Sequence, residues 1–121
     1  MTEYENSLVD IAIKADIKTL YAVIGSSVSK NQLGVSPSDK EALVNAGMSW
    51  VKDKQNELKT LVCADPNIRK LFLSNNLKIA DTRDAILIVT DLIITICQGI
   101  PAVYVAALIV KIGLREWCNG S

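Results

Sequence analysis

Hydrophobic residues return at every third or fourth position in the first quarter of the chain, at Val9, Ile13, Ile17, Leu20, Tyr21, Ile24 and Val28. That spacing lines one face of a helix, so the pattern predicts a helix over residues 3–29. Thr2 is its expected N-cap, and a bend is expected near Gly25-Ser26-Ser27, where helix propensity is weak. The polar run "SKNQLGVSPSDK" then interrupts the periodicity, and Gly34 and Pro37 mark it as a loop. Ser38 followed by Glu41 has the form of a capping box, in which each side chain satisfies a backbone N–H left open at a helix start. A second helix is therefore predicted over 38–64, burying Leu43, Ala46, Gly47, Trp50, Val51, Leu58, Leu61 and Val62. Its solvent side is expected to carry Lys40, Lys52, Asp53, Asn56 and Lys59.

Asp65-Pro66 reads as an N-cap followed by proline at the first helical position, where its missing N–H costs nothing. The third helix, 66–74, carries Ile68, Leu71 and Phe72 and stops at Ser74-Asn75-Asn76, whose side chains compete with the helical backbone. Asp81 is the expected N-cap of a fourth helix over 82–97, with Asp84 in its first turn. Gln98-Gly99-Ile100 supplies a tight connection, and Pro101 opens a fifth helix over 101–117. The predicted fold is all-α: a single domain over 1–121, built as a small five-helix bundle around a very apolar C-terminal helical hairpin.

That hairpin poses the sharpest question in the sequence, because the 19 residues from Leu92 to Val110 include no charge. Asp84, Asp91, Thr95 and Gln98 recur at helical spacing along its first arm, and Tyr104, Lys111 and Arg115 along its second. If the chain reverses at Gly99, Asp84 comes beside Arg115 and Asp91 within a turn of Lys111, so two structural ion pairs are expected. The competing reading is a membrane-associated segment acting through residues 85–113, with Lys111 and Arg115 holding the C-terminus in the cytoplasm. Against it, Gln98, Gly99 and Pro101 would fall in mid-bilayer, and Asp91 would enter at a cost of about 2.5–3.5 kcal/mol. Burial in protein is the favoured expectation.

Composition narrows the chemistry further. Half of the residues are hydrophobic and 21% are charged, a balance that folds rather than remaining disordered. Thirteen basic and thirteen acidic side chains cancel, which argues against nucleic-acid binding and weakens the repulsion that keeps copies apart. Histidine is absent, which removes imidazole acid–base catalysis, Ser-His and Cys-His nucleophiles, and histidine-ligated zinc. Ser26 and Ser27 follow Gly25 but lack the second glycine of a nucleophile elbow, and no phosphate-cradling glycine motif occurs. Glu3, Glu5 and Asp10 are read as answering the dipole of the first helix.

Cys63, Cys97 and Cys118 are odd in number and widely spaced, and are read as reduced structural thiols of a cytoplasmic protein, with Cys118 the most reactive. "MTEYENSLVD" has no export-signal character, and the terminal "NGS" sequon is read as chance. Trp50 is expected in the core, while Tyr104 and Trp117 are candidate interface residues. No catalytic, cofactor-binding or metal-binding residue is indicated, nor any small-molecule substrate. The leading expectation is a non-catalytic helical interaction or assembly subunit, burying apolar surface in a homo-oligomer or larger complex.

Overall fold

The computed structural model describes residues 3–30, 40–73 and 79–119, and every regular element among them is helical. In chain order these are α1 (Glu3–Lys14), α2 (Ile17–Lys30), α3 (Lys40–Cys63), α4 (Pro66–Leu73), α5 (Ile79–Ile93), α6 (Ala102–Ile112) and α7 (Leu114–Asn119). The all-α class is as the periodicity predicts, but the described residues form seven helices because two predicted helices are interrupted.

The first interruption lies at Ala15-Asp16, not at Gly25-Ser26-Ser27. Asp16 accepts a hydrogen bond from the Thr19 amide at 2.7 Å, so its carboxylate caps a new helix instead of continuing the old one. The break also changes the helical phase: Ile17 turns outward, whereas Val9, Ala12, Leu20 and Ile24 point into the core. The second interruption is Gly113, with φ 109°, a conformation that side-chain-bearing residues rarely adopt. Its amide closes α6 on the Ile109 carbonyl, and its own carbonyl accepts from Trp117 to start α7.

Other boundaries follow local chemistry. Asp65 caps α4 as expected, accepting from the amides of Asn67 at 2.9 Å and Ile68 at 3.2 Å. The proposed caps Thr2 and Ser38, and the stop at Ser74-Asn75-Asn76, lie outside the described residues. Asp81 is not an N-cap, because Ile79 and Ala80 are already helical and place it inside the first turn of α5. At the other end α5 stops at Ile93 rather than Cys97: the β-branched run Ile93-Ile94-Thr95-Ile96 holds a helix poorly, and the reversal occupies the residues up to Pro101.

Packing centres on α6, which touches α1, α2, α5 and α7. Surrounded in this way, its six consecutive residues Val105–Val110 are all buried, which explains an apolar sequence with no polar face. From α5, Ala85, Ile86, Val89 and Ile93 complete that core. The α2–α3 crossing is closer still. A Cβ on Gly25 would lie 1.7 Å from the Leu43 carbonyl oxygen, and one on Gly47 2.0 Å from that of Tyr21. The two helices thus run antiparallel with backbone against backbone, which explains a glycine at position 25 within the unbroken helix α2. Among the described residues, no helix is long and apolar enough to cross a membrane.

Candidate interaction surface

Most apolar residues of α1, α5 and α6 face inward, yet one stretch of surface between these helices keeps an apolar lining. Leu8 from α1, Leu87 from α5, and Ile100 and Val103 around the start of α6 border a groove of about 470 Å³. Ile94, 57% exposed, forms its far edge. Ile11, 55% exposed, lies three residues beyond Leu8 and so on the same side of α1. Thr90 and Asp91 are the polar members of the lining. Thr90 spends its hydroxyl hydrogen on the Ile86 carbonyl at 2.6 Å, leaving the exposed Asp91 carboxylate as the groove's charge. An Arg83–Asp10 ion pair ties α5 to α1 beside this surface. Asp10, beyond the first turn of α1, therefore answers a side chain rather than the helix dipole.

The expected Asp91–Lys111 pair is not what joins the arms of the hairpin. Asp84, Asp91, Thr95 and Gln98 are all exposed, so the acidic stripe faces solvent while the apolar stripes of α5 and α6 meet. Asp91 and Lys111 form no ion pair; the former borders the groove near the start of α6, and the latter lies in that helix's last turn. The eight residue steps of helix from Val103 to Lys111 separate the two ends by about 12 Å. Turning both charges inward would have required their desolvation, whereas the apolar faces gain by burial. The Asp84–Arg115 pairing rests on an Arg115 side chain outside the described residues. Lys111 instead lies close enough to Asp16 to help lower that carboxyl's pKa, a minor cause beside the hydrogen bonds from the Thr19 side chain and amide.

Tyr104 is half-buried against the core. Trp117 is enclosed rather than presented: it is 6% exposed, with the Lys59 ammonium 5.9 Å from its ring centroid. Among the described residues its indole N–H is the buried side-chain donor without a hydrogen-bond partner. Trp117 also borders a shallow groove of about 490 Å³ together with Tyr21, Met48, Val51 and Lys52.

The cysteines depart most from expectation. Cys63, the last residue of α3, is disulfide-bonded to Cys118 of α7 across a Cα separation of 5.7 Å. Fifty-five residues of sequence conceal this proximity, and it arises only because Gly113 turns α7 back onto α3 and α4. Cys97 is the free thiol; burial pushes its pKa up to about 11, so it is protonated and inert at neutral pH. Ser27 donates to the Val23 carbonyl within α2, the role of a helix residue rather than a nucleophile. Among the described residues no cluster of acidic or cysteine side chains could hold a metal ion. Compared with known proteins, the chain matches no family, no curated protein and no solved structure.

Proposed function

We propose that this chain is a non-catalytic assembly subunit that pairs with a second copy of itself through the α1–α5–α6 surface. The observation that carries the reading is an apolar groove lined by Ile94 and Leu8, with Ile11 one turn along α1 from Leu8; among the described residues Ile94 and Ile11 are the two most exposed large hydrophobics. Charge supports a like partner. Lys14 and Lys18 are exposed beyond Ile11, and Asp84 and Asp91 are exposed on α5. A two-fold arrangement sets the lysines of one copy over the carboxylates of the other while Ile11 and Ile94 fill the centre. Zero net charge leaves little long-range repulsion to oppose it.

Size-exclusion chromatography with light scattering, without detergent, tests the proposal. A dimer is expected. Ile94→Asp should give a folded monomer, since a side chain this exposed contributes little to the core. Lys14→Glu or Asp91→Lys alone should weaken the dimer, and together they should restore it. A monomer at every concentration, or recovery only with membranes, overturns the reading. A cytoplasmic home belongs to the proposal only with the Cys63–Cys118 bond as a reversible state, because reducing compartments do not sustain permanent disulfides.

A further inference from the structure

We infer that α7 is a redox-operated clasp, held shut over Trp117 by the Cys63–Cys118 disulfide and released by thiol–disulfide exchange. Three features point to a clasp rather than a structural staple. The bond joins α7 to the end of α3, and among the described side chains of α7 only Trp117 is buried in the core, so little of that short helix is held by packing. Gly113, with its φ of 109°, provides a pivot immediately before α7. Closure also buries the Trp117 N–H without an acceptor, an unfavourable feature that opening relieves.

The site is arranged for exchange. Both cysteines are half-buried, not sealed in the core as Cys97 is. The Arg69 guanidinium donates to the Cys63 main-chain carbonyl at 3.2 Å, which anchors the α3 end of the bond while α7 moves. A thiolate of an external dithiol attacks the Cys118 sulfur; the S–S bond breaks, and Cys63 leaves with the electron pair and takes up a proton. The second thiol of the reagent then gives up its proton and displaces Cys118, which is protonated in turn. Two electrons and two protons reach the protein, and the reagent ends as its own disulfide.

The test uses the full chain carrying Trp50→Phe, so that Trp117 is its sole indole. Alkylation of the native, air-oxidised protein should modify no thiol, and after dithiothreitol two. Reduction should shift Trp117 emission to longer wavelength and raise its acrylamide quenching severalfold, with cooperative unfolding and most of the helical signal retained. Cys63→Ser with Cys118→Ser should reproduce the open state without reductant. Free thiols at both positions in the air-oxidised protein would overturn the inference. So would unchanged Trp117 emission and quenching after full reduction, or collapse of the helical signal, which would make the bond a staple of the whole fold.

Discussion

Asp16 is an exposed residue with a structural task. Hydrogen bonds from the Thr19 side chain first, and then from its amide, lower its pKa below the ordinary 3.8, because the charged carboxylate is the better acceptor. A depressed folded-state pKa means that the cap contributes fully above the unfolded value and is lost as pH falls through the folded one. Acid titration followed by the Thr19 amide resonance should show the cap persisting below pH 3.8, and Asp16→Asn should remove that step while keeping an acceptor. Cys97 has the opposite sign. Burial raises its thiol from 9.0 to about 11, so its stabilising contribution is complete below pH 9.0 and declines as pH rises towards 11. Cys97→Ala should flatten the loss of stability across that window, measured by denaturant midpoints; an unchanged slope would show that other groups set the alkaline limit. Neither role was legible as such in the sequence: Asp16 lies within an unbroken apolar period, and Cys97 reads only as a cysteine among isoleucines.

At the scale of the helix, Gly25 and Gly47 reverse the sign of an ordinary expectation. Alanine at a helix interior normally gains up to about 1 kcal/mol over glycine. Here the added methyl would overlap a carbonyl of the opposing helix, so Gly25→Ala should cost about 1–3 kcal/mol or more as α2 and α3 move apart. Thermal unfolding measures this directly, and a stabilised Gly25→Ala would refute the close crossing. Asp65→Ala makes a conventional contrast: loss of the α4 cap should cost about 1 kcal/mol. The Asp65-Pro66 signal was readable because cap and helix are neighbours in sequence. At Gly25 the sequence shows only weak helix propensity, because the reason for a glycine there is a carbonyl on another helix.

For the molecule as a whole, α6 is the element about which the others are arranged. Leu108 is fully buried in it, and Leu108→Ala should destabilise the protein by about 2–5 kcal/mol, the cost of lost burial plus the cavity left behind. Closing a 55-residue loop with Cys63–Cys118 restricts the unfolded chain by about 4 kcal/mol on the chain-entropy argument, so full reduction should lower the denaturant midpoint without removing cooperativity. By itself the sequence determined what depends on neighbours along the chain: the helical class from the spacing of apolar residues, the α4 cap, and the need for the segment around Val105–Val110 to be enclosed. Only the tertiary structure decided which surfaces meet. Inward apolar faces displaced the Asp91–Lys111 pair, two glycines brought α2 and α3 into backbone contact, and a turn at Gly113 carried Cys118 to Cys63. Periodicity identifies which face of a helix is apolar, but the partner of that face is set by packing among residues far apart in the chain.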